Sequence, residues 1–246
     1  MARSGSFRLA GRVLFLTEDQ ELLKKQLAGE DLPAETVAAI ARGEGPKLVD
    51  NISTDEITPG WVCFHYDETL GEYSMIGLRG GLFSRGSIKD GGFSVIVSGE
   101  SKGCGSSREQ APYSEVAAGI KLVIARSIEK IYGQNCQNIG LLTTTDFGIV
   151  ERVARGEAIP IEEFTKGLDP ISADVIAYGG LFRYNEARLA GEVSPPAITT
   201  KPHPMTLAEK IIARHAVVDA TTEQVGVAAV APGDALFVRC NVRFSH

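Results

Sequence analysis

The sequence predicts an α/β layered domain with partly parallel strand pairing. Three observations carry that expectation. Short apolar runs recur as strand candidates at "GRVLFL" (11–16), "FSVIVSGE" (93–100), "KLVIA" (121–125) and "LLTTT" (141–145). Segments of helical spacing lie between them, an alternation that places helices across a sheet with parallel strands. The composition is that of an ordinary globular chain, 246 residues with 43% hydrophobic and 23% charged side chains.

In chain order, "GRVLFL" reads as a buried strand and "EDQELLKKQLAGEDL" (18–32) as a helix with Leu22, Leu23, Gln26 and Leu27 on one face. "PAETVAAIARGEG" (33–45) opens with Pro33 and closes in glycines, as a helix start and stop should. "KLVDNISTDEITPG" (47–60) reads as strand and loop with a Pro59-Gly60 turn, and the glycine-rich 71–92 as loop and turn rather than core. After the strand 93–100, "YSEVAAGI" (113–120) and "SIEKIYGQNCQNIG" (127–140) are helix candidates flanking "KLVIA". Residues 146–193 continue the alternating style with less obvious strands.

"SPPAITTKPHP" (194–204) holds four prolines in eleven residues and reads as a linker. Beyond it, "MTLAEKIIARHAV" (205–217) pairs Thr206 with Glu209 as a capping box, with Leu207, Ile211, Ile212 and His215 at helical spacing. "GVAAVAPGDALFVRCNVRFSH" (226–246) gives two strand-like pieces around a Pro-Gly turn. The expected organisation is one domain over 1–193, the linker 194–204, and the start of a second, incomplete α/β domain over 205–246.

A net charge of −6 argues against a general nucleic-acid binder, though a basic pocket for a small anion fits in an acidic protein. No run approaches a membrane span, and the N-terminus lacks the pattern of a signal peptide. Cys63, Cys104, Cys136 and Cys240 are widely spaced without a C-x-x-C, so reduced thiols in a cytoplasmic setting are expected.

The chemistry concentrates in "SGESKGCGSSREQAP" (98–112). A dinucleotide fingerprint fails because its sixth position is Arg108; a P-loop needs a terminal Gly-Lys-Ser/Thr, and a nucleophile elbow needs Gly-x-Ser-x-Gly. What remains is a strand running into Gly103 and Gly105, which permit positive φ, then Ser106, Ser107 and Arg108, then a helix with Pro112 in its first turn. Hydroxyls, a guanidinium fork and a helix start converge on an anionic carboxylate. In isolation, the same residues would be a cap and a solvated arginine.

"GCGSSREQAP" resembles the active-site loop of the swivelling domain in the aconitase superfamily, and most closely the small subunit of 3-isopropylmalate dehydratases. "NISTDEITPG" (51–60) is similar to that family's Asn-x-x-Thr-Asp-x-Ile-x-Pro signature, and "NCQNIGLL" (135–142) to its Asn-Cys-x-Asn-x-Gly-Leu-Leu segment. All three stand in the family's order over roughly residues 50–145. The segment from Met205 onward is similar to the opening of the family's large, cluster-carrying subunit, as in a fused enzyme cut short or a small subunit with an added tail, the first being favoured.

The resemblance implies a swivelling β/β/α domain with a mixed, partly parallel sheet. It implies a hydro-lyase that removes water from a hydroxy-acid and returns it with the hydroxyl on the neighbouring carbon. Ser106 would be the base, Arg108 the carboxylate clamp with Ser107 assisting, and Thr54, Asp55, Gly103 and Gly105 the loop support. Arg79 or Arg85 would supply a second substrate arginine from the family's selecting loop. Met75, Ile76, Leu78 and Leu82 there mildly favour an alkyl-bearing acid, isopropylmalate, over the substrates of aconitase, homoaconitase or a methyl-substituted malate hydratase, and read equally well as packing within the turns. The family's [4Fe-4S] cluster would sit on a partner subunit or downstream domain, since three cysteine thiolates with a C-x-x-C are missing here, so the chain alone binds no cluster and does not catalyse. Cys104 falls at a variable loop position, and His65 and His215 read as packing residues. His246 falls where the large subunit begins to contribute substrate contacts. The rival from another class is a non-catalytic anion-binding regulatory module built on the same loop.

Overall fold

Four parallel strands in sequential order, β2-β3-β4-β5, form the sheet at the centre of the computed structural model, which describes residues 5–219 and 222–243. The first half of the chain runs β1 (Ser6–Phe7), β2 (Arg12–Phe15), α1 (Gln20–Leu27), α2 (Ala34–Arg42), α3 (Thr54–Ile57), α4 (Ser87–Asp90), β3 (Phe93–Ser98) and α5 (Gln110–Ala117). Next come β4 (Leu122–Ala125), α6 (Lys130–Ile139), β5 (Leu142–Thr144), α7 (Val150–Ala154), β6 (Ile159–Pro160) and α8 (Glu162–Thr165). The last elements are α9 (Pro170–Tyr178), α10 (Leu181–Leu189), α11 (Leu207–His215), β7 (Val217–Asp219) and β8 (Gln224–Val225).

The register aligns Val13, Val95, Leu122 and Leu142 in one row across the sheet. Alternate side chains feed two cores. Leu14, Ile96 and Val123 pack with Ile52, Met75 and Tyr132; Phe15, Val97 and Ile124 pack with Ile40, Phe147 and Phe164. A sheet covered on both faces needs continuous apolar strands, which is why "FSVIV" shows no alternation and is buried throughout. Antiparallel pairing among the described residues occurs in the short ribbons β1–β6 and β7–β8 and in the isolated bridges Thr17–Leu48 and Ala216–Val238.

Gln26 reads from sequence as part of an apolar face, and the structure gives it a strand-like duty. Fully buried, it accepts from Phe15 N at 2.8 Å and donates to Phe15 O at 2.9 Å, satisfying the open edge of β2. Asp19 caps α1, and α2 stops at Gly43 in the left-handed region.

Several segments depart from the sequence expectation. The glycine-rich 71–92 contributes Met75, Leu78, Phe83 and Ile88 to the core, because its turns fold apolar residues inward. Residues 47–60 hold a helical turn, α3, rather than strand and loop. In 146–193 the chain is mainly helical, α7 to α10, with one two-residue strand. Among the described residues of 226–243 no strand forms; Val238 makes a single bridge to Ala216. Residues 194–204 carry no regular structure. The C-terminal segment packs back on α10, where Phe237 stacks against Tyr184 at 6.0 Å and Arg188 lies over the Phe237 ring.

Candidate active site

Two sequence motifs fifty residues apart lie side by side at the carboxyl end of β3. The chain that follows β2 returns as 49–54 and runs along 99–104. Gly99 N donates to Val49 O at 2.9 Å, Asn51 N to Glu100 O at 2.7 Å, Gly103 N to Ile52 O at 2.8 Å and Thr54 N to Cys104 O at 2.8 Å. The parallel bridge Ser53–Cys104 closes this pairing. Loop 103–109 is thereby set on α3.

Gly103 and Gly105 have φ of +84° and +93°, in the left-handed region, and a Cβ on Gly103 would lie 2.1 Å from the Tyr132 ring. The turn they make exposes Ser106 and Ser107. Thr54, 1% exposed, donates to Ser106 O at 3.0 Å and shares a 2.9 Å hydrogen bond with Ser106 Oγ. Arg108 Nη1 donates to Asp55 Oδ1 at 2.6 Å and to Thr58 O at 3.4 Å. Cys63 is a further side-chain partner of the same guanidinium, and among the described residues Nη2 makes no hydrogen bond to an oxygen or nitrogen. Thr58 is fixed in turn by Ser114 of α5, Oγ to Oγ at 2.7 Å.

Helix α5 begins at Gln110, beside Arg108, with no side-chain cap, whereas Asp19, Ser53, Asp169 and Thr206 cap other helices. Of its first turn only Gln110 and Ala111 keep amide N–H groups without a helix partner, since Pro112 has none and Tyr113 N donates to Glu109 O at 3.1 Å.

Sequence reasoning missed Ser53 and Glu56, which form a capping box on α3, legible as Ser-x-x-Glu. Glu56 also receives Arg79 Nε at 2.8 Å, and Arg79 Nη2 reaches Asp50 O and Asn51 O at 3.0 and 2.8 Å. Burial acts to raise the Glu56 carboxyl, but the Arg79 guanidinium and the Ser53 amide outweigh it and hold the group below its ordinary value. Arg85 instead pairs with Glu72 and lies over the Tyr73 ring. Burial, aided by the Glu129 and Glu56 charges, raises the Cys104 thiol and keeps it protonated. His65 stacks on Tyr73 at 5.6 Å, and His215 closes α11; His246 lies outside the described residues.

A cleft of about 290 Å³, lined by Tyr66, Leu70, Glu109, Gln110 and Tyr113, adjoins the loop. A larger cavity of about 480 Å³ beside α6 shares no residue with this site. All four cysteines are free, and among the described residues no three His, Cys, Asp or Glu side chains could hold a metal ion. The chain's own residues do not fit an iron–sulfur cluster. No helix of the described residues is long and apolar enough to cross a membrane.

A family model described as the aconitase C-terminal domain matches residues 86–146. The 3-isopropylmalate dehydratase small subunit of Desulfovibrio desulfuricans is 32% identical over 164 residues, covering 61% of this chain and 97% of that protein. The isopropylmalate/citramalate isomerase small subunit of Methanocaldococcus jannaschii is 31% identical over 167 residues, 62% of this chain and 97% of that protein. The methanogen homoaconitase small subunit of the same organism is 35% identical over 165 residues, 61% and 93%. A solved 3-isopropylmalate dehydratase structure from M. jannaschii superposes with a TM-score of 0.43 at 26% identity, over 58% of this chain and 91% of that one. Matched along nearly the whole length of such relatives, the chain belongs to the family of 3-isopropylmalate dehydratase small subunits, components of hydro-lyases.

Proposed function

We propose that this chain supplies the proton-transfer and carboxylate-binding half of a hydro-lyase site that isomerises a hydroxy-acid by dehydration and rehydration, with 3-isopropylmalate as substrate. One observation carries the reading: an exposed serine hydroxyl tied to a buried threonine, beside an arginine with an open edge and an uncapped helix start. Arg108 Nη2 and the amides of Gln110 and Ala111 at the start of α5 receive a substrate carboxylate, and the hydroxyl of Ser107 adds a donor.

Ser106 Oγ, as the alkoxide, takes the proton α to that carboxylate and becomes the neutral hydroxyl; the C–H electron pair forms the carbon–carbon double bond, and the C–O bond on the adjoining carbon breaks to release hydroxide into the side of the site that the partner would close. An ordinary serine is far too weak an acid for this, so the site must stabilise its anion. Thr54 has a single proton and can give it to either oxygen of Ser106; given to Oγ, it does so. Arg79, committed to Glu56 and two carbonyls, supports the loop in this reading, and Arg85, paired with Glu72, stands apart from it.

The cluster that the family resemblance implies belongs to a partner subunit or a further domain, and no step is assigned to it here. Trp61, Phe64 and Tyr66 are exposed on the segment following Pro59, which packs beside Arg108. Such a patch at the mouth of a half-built site fits a docking face for that partner. We assign residues 1–193 to the swivelling unit and 205–246 to the start of a second one, and the free thiols fit a cytoplasmic setting.

The test is the enzyme reassembled with its cluster-bearing partner, offered isopropylmalate, citrate, homocitrate and dimethylmalate while the unsaturated acid is followed by ultraviolet absorbance. Isopropylmalate should turn over, and S106A should lower kcat by about 10²- to 10⁴-fold with the fold intact. Preference for another acid replaces the substrate. Full activity in S106A removes Ser106 as the base. Silence on all four acids with the cluster intact favours an anion-binding module, in which R108K would hurt ligand affinity more than S106A.

A further inference from the structure

Directly beneath the loop lies a group of ionisable side chains that the reading above does not use. Lys102 and Glu115 are both 0% exposed, and Lys102 Nζ donates to Glu115 Oε1 at 2.8 Å. The other carboxylate oxygen, Oε2, accepts from the Tyr132 hydroxyl. Lys102 Nζ also lies 3.9 Å from Met75 Sδ and 5.7 Å from the centre of the Tyr132 ring.

The placement of the three residues is specific. Lys102 immediately precedes Gly103, and its backbone is held on both sides, N to Ser127 O and O to Glu129 N, each at 3.0 Å. Glu115 stands on α5, the helix that the loop enters, and Tyr132 stands on α6. The Tyr132 ring fills the space in which a Gly103 side chain would sit. One ion pair therefore ties both ends of the loop together. The loop's first glycine rests on a ring whose hydroxyl is bound to the same carboxylate.

Stability does not account for this arrangement. Removing two charges from water costs roughly what their attraction returns, and an apolar pair of similar volume is commonly as stable or more so. What an ion pair adds is direction and a fixed separation, together with a high cost for any rearrangement that parts its members. We infer that Lys102, Glu115 and Tyr132 form a positioning clamp that fixes the path of residues 103–109 and so the stance of Ser106 and Arg108. The catalytic consequence rests on the proposed function; the consequence for the loop does not.

The deciding variant is the full chain with K102M, E115L and Y132F together, which removes both charges and the buried hydroxyl that Glu115 binds and so orphans none of the three. Its melting temperature should stay within about 5 °C of wild type. Amide exchange of the peptide spanning 103–109 should rise about tenfold or more. In the reassembled enzyme kcat should fall by about tenfold or more, with KM changed by less than about threefold. Loop exchange within about twofold of wild type would overturn the clamp, whatever the activity. Turnover surviving in S106A would instead condemn the proposed site, and the exchange measurement would still decide the clamp. Should the triple variant not fold, Y132F alone, which loses only the hydroxyl, carries the same exchange test with the same two outcomes.

Discussion

Thr54 has one hydroxyl proton and two oxygens of Ser106 within reach of it, one on the backbone and one on the side chain. The first bond fixes where the loop lies, and in the proposed mechanism the second acts on the charge that Ser106 carries as the base. T54V keeps the shape and removes both. It should cost about 1 kcal/mol of stability and about tenfold in kcat, with KM little changed; steady-state kinetics beside urea unfolding checks both. A kcat equal to wild type would leave Thr54 a purely structural residue. Arg108 shows the same economy, since Asp55 orients one edge of the guanidinium and leaves the other for a ligand. Ser106 and Arg108 were singled out through the resemblance of "GCGSSREQAP" to a family loop, because the same residues in isolation read as a cap and a solvated arginine. Glu56 was not singled out, because a glutamate three residues after a serine is common, and its bond to Arg79 spans 23 residues.

Among the elements, α3 is four residues long and depends on its cap and on Arg79 rather than on helical propensity. The Glu56 carboxyl lies below its ordinary 4.5. A carboxyl depressed in the folded state adds stability above the unfolded value and loses it as pH falls through the folded one. E56Q should therefore be about 1 kcal/mol less stable than wild type at pH 7. The gap should close as pH drops below 4.5. Urea titrations at neutral pH and at about pH 3.5 measure it, and a gap that persists in acid would assign the effect to geometry rather than charge. Gly103 offers a second element-scale test. G103A combines a left-handed φ with a collision against Tyr132 and should cost on the order of 3 kcal/mol in denaturant unfolding. A loss below about 0.5 kcal/mol would mean that the ring moves aside freely.

The molecule as a whole joins a covered parallel sheet to an open site. Trp61, Phe64 and Tyr66 face solvent within six residues of one another on the segment after Gly60, which lies next to Arg108, whereas Ile131, Leu168, Phe182 and Leu189, also exposed, are scattered along the chain. F64S with Y66S should leave the chain's own melting temperature within about 2 °C and weaken assembly with the cluster-bearing partner by about tenfold or more, read by titration calorimetry. Unchanged affinity would move the docking face elsewhere. The Leu207, Ile211 and Ile212 stripe of α11 is also exposed, although its spacing reads as a core face. Periodicity shows that a helix has an apolar side; it does not show what covers that side.

From the sequence alone came the α/β class, the four strands of the sheet, the helices that follow them and the loop 103–108, because these depend on local patterns: apolar runs, caps, glycines at forced turns. The tertiary structure alone decided that the glycine-rich 71–92 is core and that 49–54 lies against 99–104. It also paired Arg79 with Glu56 and Lys102 with Glu115. Each of these depends on the sheet bringing distant segments together, and no short-range pattern encodes which distant side chain will neutralise a buried charge or take the space a glycine leaves.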